Sequence, residues 1–298
     1  MIHAINLTKR FDSFTALDGL NTEIQQGCIY GLVGPNGSGK STLLRLISGI
    51  YAPDGGQIMV DNVPIYECND VKNQIFYLSD DLYFLPKSTT RDMAEFYRGL
   101  YTTFDAQKFE RLGAQFPIDL NKRVSTFSKG MRRQAALLVA LCCNTNYLLL
   151  DEAFDGLDPV IRLMVKKLLA EEIAQRNLTV IITSHNLREL EDLCDQIGLL
   201  HKGKILFERE LDELKFGFCK VQAAFDHPVD PEALGLEILQ NQQRGSVISL
   251  LVRGNAEDTL AILSKENPLF SEAVPLTLEE VFIGEMEAVG YDYNNILL

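Results

Sequence analysis

The stretch Cys28-Ile-Tyr-Gly-Leu-Val33, Gly34-Pro-Asn-Gly-Ser-Gly-Lys40-Ser41, Thr42-Leu-Leu-Arg-Leu-Ile47 decides how this chain folds. Its first six residues are a short apolar run, the length and character of a buried strand. A glycine-rich octet follows, and then Leu43, Leu44 and Ile47 recur at helical spacing. The octet fits GxxxxGK[ST] in full, in the order strand, loop, helix that the pattern requires. Its glycines let the backbone curl so that N–H groups face phosphate oxygens, and the following helix offers its positive end. Lys40 adds a point charge for the β and γ phosphates, and the Ser41 hydroxyl can ligate Mg²⁺. Gly34, Pro35, Asn36, Gly37, Ser38, Gly39, Lys40, Ser41 and Thr42 are therefore candidate ligands of a nucleoside triphosphate.

Two further apolar strands lie outward from this core. Tyr147-Leu-Leu-Leu150 ends in Asp151-Glu152, and Thr179-Val-Ile-Ile-Thr183 ends in Ser184-His185. Short apolar strands alternating with helices predict a parallel sheet buried on both faces. An acid at the carboxyl end of such a strand lies beside the phosphate loop, where Asp151 can hold Mg²⁺. Glu152 is then placed to take a proton from an attacking water. Residues 1 to about 26 alternate around a turn at Asp12–Ser13, as antiparallel strands do. Residues 82 to 145 are mainly helical, with helices expected over Asp92–Tyr101, Ala106–Phe116 and Lys129–Cys142. After Lys215, strands are expected at Phe218–Phe225 and Ser246–Val252, and helices at Ala256–Lys265 and Leu278–Glu287.

The fold class is thus α/β: a P-loop NTPase core with antiparallel β and helical subdomains, plus a small C-terminal α/β module. The expected domains are 1–215, with its helical subdomain at about 82–145, and an acidic accessory domain, 216–298. Charge marks the same step. From Phe216 onward there are four basic and thirteen acidic residues, a balance of −9, out of −13 for the 298-residue chain. That acidity disfavours nucleic-acid partners. The longest apolar run, Ala135–Cys143, is too short to span a membrane, and no basic-then-apolar leader opens the sequence. The chain reads as intracellular, with six reduced, packed cysteines and none in a CxxC pair.

The motifs resemble those of the nucleotide-binding subunit of an ATP-binding cassette (ABC) transporter, over about residues 1 to 215. Phe127-Ser128-Lys129-Gly130-Met131 stands where that family has its LSGGQ signature. Gly156-Leu157-Asp158-Pro159 resembles its D-loop, and His185 its switch histidine. The resemblance implies ATP and Mg²⁺ as cofactors and an active site shared by two chains, the signature of one capping the ATP held by the other. Ser128 and Gly130 would then donate to the γ phosphate across the interface, Asp158 would belong to the nucleotide-binding set, and His185 would reach the γ phosphate and the attacking water. Phe11 matches the adenine-stacking aromatic, with Phe14 as its competitor.

Two departures stand out. Asp80 occupies the place of the Q-loop glutamine, and the reading here is that it keeps that residue's metal role. Lys129-Gly-Met131 replaces Gly-Gly-Gln, while Ser128 and Gly130 are retained. The implied function is the motor subunit of a transporter, exporter-type by its signature and its Leu276–Phe282 segment. Its implied partners are an integral membrane subunit and a second cassette, either the same chain or a paralogue. Its implied place is the cytoplasm, peripheral on the inner face of the cell membrane. A soluble ABC ATPase of DNA repair or translation, or a nucleotide-gated regulator, is the alternative. The single set of motifs and the lack of a coiled-coil insert weigh against it.

Overall fold

In the computed structural model the chain divides into two compact units, Met1–Glu208 and Arg209–Leu298. The structure describes residues 1–282 apart from 192, 212 and 214–216. The expected boundary at Lys215–Phe216 lies outside the described residues, as does the expected closing helix beyond 282.

The first unit opens with β1 (Ile2–Phe11) and β2 (Phe14–Ile24), an antiparallel pair that turns at Asp12–Ser13. They join β4 (Gly55–Val60) and β5 (Val63–Pro64) in a sheet of order β2-β1-β4-β5. The deciding stretch forms β3 (Ile29–Val33), the glycine loop and α1 (Lys40–Ile47). All five β3 residues are buried, as expected of a strand covered on both faces.

That strand sits inside a six-stranded sheet with β6 (Ile75–Leu78), β7 (Tyr147–Asp151), β8 (Thr179–Ser184), β9 (Gln196–His201) and β10 (Lys204–Glu210), in the order β10-β9-β3-β8-β7-β6. The pairs β3–β8, β3–β9, β7–β8 and β6–β7 are parallel. Because β8 lies between β3 and β7, the residues that end it lie between the phosphate loop and Asp151.

The short helix α2 (Asn69–Lys72) precedes β6, and between β6 and β7 come α3 (Thr90–Leu100), α4 (Ala106–Gly113) and α5 (Lys129–Cys142). Thr89 and Asp92 form a reciprocal capping box at the start of α3, and Asp105 caps α4, so each start is fixed locally. From Arg133 to Cys142 every residue of α5 is buried. The helix α6 (Pro159–Arg176) follows β7 and ends at Asn177 in the left-handed conformation.

In the second unit, strands Phe218–Ala224, Ile238–Arg244, Val247–Arg253 and Phe270–Val274 (β11 to β14) pair antiparallel in the order β12-β13-β11-β14. Cys219, Val221 and Ala223 alternate onto one face, where Ile248, Leu250, Val252 and Leu263 of the helix Ala256–Leu263 complete the core. On the other face, Lys220 pairs with Glu280 at 2.6 Å. All six cysteines are free thiols, and burial pushes Cys142 up to about 12.

Candidate functional site

The left-handed backbone at Gly37 (φ 78°) and Gly39 (φ 114°) shapes the loop after β3. At Gly39 a Cβ would also meet the Ala16 carbonyl at 2.7 Å, so this position is closed to other residues. Gly39 caps α1 without a side-chain acceptor, which leaves the helix's first N–H groups for an anion. Lys40 is 6 % exposed; its Nζ donates to the carbonyls of Gly34 (2.6 Å) and Pro35 (3.2 Å) and lies 3.8 Å from Glu152 Oε1. Burial lowers the lysine pKa, while Glu152 and Asp151 oppose the shift.

Asp151 is 1 % exposed and accepts three hydroxyl bonds. Ser41 Oγ (3.0 Å) and Thr183 Oγ1 (2.7 Å) donate to its Oδ1, and the Tyr77 hydroxyl donates to Oδ2 (3.0 Å). Asp151 and Thr183 are register partners across β7 and β8, which is why their side chains meet. Burial, followed by Asp151, pushes the Tyr77 phenol up to about 12. Glu152 follows at φ 51°, in the left-handed region that non-glycine residues seldom adopt. Its N–H donates to both Thr183 O (3.2 Å) and Thr183 Oγ1 (3.0 Å), which holds that conformation. Its Oε2 accepts from His185 Nδ1 at 2.9 Å.

An open cavity of about 260 Å³ collects Asn36, Gly37, Gly39, Lys40, Ser41, Thr42, Asp80 and Glu152, with Phe14 and Ala16 at its side. Phe11 is not part of this lining. Its ring packs edge-on against Tyr51 at 5.4 Å, and Phe14, its partner across the hairpin turn, takes the place beside the loop. Ser128, Gly130 and Asp158 are also absent from the lining. Ser128 caps α5, accepting from Met131 N (3.2 Å), and Asp158 caps α6, accepting from Val160 N (3.1 Å) and Ile161 N (3.0 Å). Asp80 lines the cavity, but its Oδ1 is 2.5 Å from Nη2 of Arg133.

Sequence reading missed Thr183, Tyr77 and Arg133. The first two are ordinary strand residues until parallel register sets them against Asp151, and Arg133 resembles any basic residue of a helix.

The family described as ABC transporter matches residues 17–155. The ABC transporter ATP-binding protein YtrB of Bacillus subtilis is 34 % identical over 285 residues, 96 % of this chain and 98 % of that one. The chain belongs to the ABC transporter family. It is the ATP-binding, ATP-hydrolysing subunit of such a transporter. The bacitracin transport ATP-binding protein BcrA of Bacillus licheniformis is 31 % identical over 72 % of this cassette and 71 % of its own length. A solved ATP-binding subunit of an ABC transporter matches the fold with TM-score 0.66 at 22 % identity, over 72 % of this chain and 92 % of that one. A dimeric bacterial ABC transporter cassette matches with TM-score 0.64 at 21 % identity, over 71 % of this chain and 99 % of that one. Among the described residues of this cassette, no helix is long and apolar enough to cross a membrane.

Proposed function

We propose that the cassette works as one of two chains that close on ATP·Mg²⁺ and reopen on hydrolysis, driving separately encoded membrane subunits of an exporter. The observation that carries this reading is the grouping of Lys40, Ser41, Asp151, Glu152 and His185 at the ends of β3, β7 and β8.

The donor set fits Mg²⁺, which favours hard oxygen ligands and fills its shell with phosphate oxygens and water. Ser41 Oγ and the Asp151 carboxylate, 3.0 Å apart, would hold it. When bound, the ion offsets charge on the β and γ phosphates. Lys40 and the loop N–H groups bind the triphosphate. Glu152 accepts the proton of the attacking water as the new bond to the γ phosphorus forms and ADP leaves, and His185 orients the carboxylate. Phe11 as the adenine-stacking residue rests on its motif alone; alanine at Phe11 and, separately, at Phe14 identifies the stacker by the larger rise in the KM for ATP.

Two features support a second chain. The cavity is open rather than enclosed, so this chain alone leaves one side of a bound nucleotide uncovered. Ser128, Gly130 and Asp158 stand outside it, available to another cassette's nucleotide. Membrane subunits suit the aromatic rim of the helical subdomain, where Tyr83 is 70 % and Phe96 40 % exposed. Attachment there gives a cytoplasmic, peripheral location on the membrane's inner face. The acidic second unit serves as an accessory domain.

Glu152→Gln keeps the shape of the side chain and removes the base. The variant is expected to bind ATP, to form an ATP-dependent dimer on size-exclusion chromatography, and to hydrolyse ~10²–10⁴-fold more slowly. Turnover within a few-fold of the parent would remove Glu152 from this role.

A further inference from the structure

Arg133 lies in the first turns of α5, just after Ser128 and Gly130, and is 2 % exposed. Its Nη2 reaches Asp80 Oδ1 at 2.5 Å, in the loop after β6, and Asp155 Oδ2 at 3.7 Å, in the loop after β7. Among the described residues its Nε has no hydrogen-bond partner, so the buried charge depends on these two carboxylates. Asp155 is also bound by Lys129 of the signature segment at 2.6 Å. Backbone packing joins the same segments, since a Cβ on Gly130 would meet the Gly156 carbonyl at 2.7 Å. Neither Arg133 nor Asp155 lines the nucleotide cavity, whereas Asp80 does.

A buried guanidinium therefore spans three loops with different duties. One borders the chain's own nucleotide, one leads to Asp158, and one presents Ser128. Asp80 is 58 % exposed, free to swing into solvent were it not held. A metal ligand at this position would have to give up that contact and leave Arg133 with Asp155 alone, at 3.7 Å. We propose that Arg133 is a positioning residue, that Asp80 serves the reaction through its pair with Arg133 rather than as a ligand of Mg²⁺, and that this pair ties the chain's own ATP cavity to the signature segment it offers its partner. The proposal rests on the two-chain catalytic reading above.

The test uses the full-length chain and four variants: Asp80→Asn, Arg133→Met, the double variant and Arg133→Lys. Steady-state ATPase activity is measured against ATP and, separately, against Mg²⁺, with thermal melts confirming folding. Asp80→Asn, at an exposed position, keeps the test decisive should Arg133→Met fold poorly. Each single variant is expected to lower kcat between about tenfold and a hundredfold, the range a misplaced group produces. The KM for ATP and the Mg²⁺ midpoint should stay within about twofold; because a loss of folded protein would also lower the rate at constant KM, kcat is referred to the folded fraction that the melts give. The double variant should be no slower than the worse single one, as expected of coupled residues, and Arg133→Lys should recover part of the loss.

A several-fold rise of the Mg²⁺ midpoint in Asp80→Asn alone would overturn the proposal and restore Asp80 as a metal ligand. Multiplicative losses in the double variant, or unchanged kcat in both singles, would overturn it as well. Glu152→Gln is assayed alongside. If it still turns over, the catalytic reading fails; if it is inactive while the Asp80 and Arg133 variants are normal, only this inference fails.

Discussion

Replacing Thr183 by valine removes one hydroxyl from the centre of the site and keeps the shape of the side chain. Thr183 and Asp151 are both 1 % exposed, so water cannot replace what is lost. The substitution breaks the 2.7 Å bond to Asp151 Oδ1 and one of the two bonds that hold the Glu152 N–H. Glu152 N keeps the Thr183 carbonyl at 3.2 Å, and Asp151 Oδ1 keeps Ser41 at 3.0 Å. The net loss is thus close to one hydrogen bond to a charged group, about 2 kcal/mol. For a unit of this size that lowers the melting temperature by about 4–8 °C. Hydrolysis should fall too, because Glu152 is held in its left-handed conformation from this residue. Urea denaturation and calorimetry read the stability, and a coupled assay reads the rate. Thr183→Ser keeps the hydroxyl and loses a methyl, so it should cost about 0.8 kcal/mol and leave the rate near that of the parent. A valine variant as stable and active as the parent would refute the reasoning, and so would a serine variant worse than valine.

The remaining expectations concern other parts of the fold. Glu172 lies between Lys108 Nζ (2.6 Å) and Arg176 Nε (2.5 Å); burial raises its pKa, but Arg176 and then Lys108 outweigh burial and hold it below the usual value. The stability this depressed carboxyl contributes is complete above the unfolded value of about 4.3 and is lost as pH falls through the lower folded value. Glu172→Gln should flatten that acid-side decline and cost about 3 kcal/mol at pH 7 by stranding buried Lys108, as urea titrations across pH would show. Gly31→Ala puts a Cβ 2.8 Å from Cys194 Sγ and 3.2 Å from Leu190 Cδ1 and should cost about 1–3 kcal/mol by overpacking, measured by urea denaturation. Leu263→Ala empties a fully buried position in the second unit and should cost about 2–5 kcal/mol, seen as faster proteolysis of residues beyond 209 with an unchanged KM for ATP.

What could be read from the sequence follows from where the determining forces act. β3, the phosphate loop and α1 are specified by local pattern, and the expected Lys129–Cys142 helix coincides with α5 residue for residue. The turn at Asp12–Ser13 is also where the first hairpin reverses. Other elements carry little local signal. β12, Ile-Leu-Gln-Asn-Gln-Gln-Arg, is an edge strand with four exposed residues at its end, so no alternation reveals it. β14 is the opposite edge and likewise mostly exposed. At the site, the groups a motif places directly were visible, while those placed by register or by packing between loops were not. Thr183 needs β8 to lie between β3 and β7. The pairing of Arg133 with Asp80 joins residues 53 apart in sequence, and no local pattern announces it.

The same distinction explains how an acidic protein holds a polyanion. Charges separated by more than about 8 Å are largely screened at physiological salt, so the total of −13 matters less than the few groups within reach of the phosphates. Those groups include Asp80, Asp151 and Glu152 with a single lysine, a balance that makes sense once their partners are considered. Hydroxyls of Ser41, Thr183 and Tyr77 solvate Asp151, and Arg133 engages Asp80. Lys40 spends its short contacts on two backbone carbonyls and stands 3.8 Å from Glu152. Its turn to phosphate therefore gives up two neutral carbonyls and loosens one longer ion pair, with Glu152. Among the described residues Asp151 has hydroxyl donors and the more distant charge of Lys40 but no ion-pair partner, and it still calls for a cation. A divalent ion between Asp151 and the phosphates meets that requirement, and binding of nucleotide and metal becomes mutually dependent: each supplies the charge the other needs.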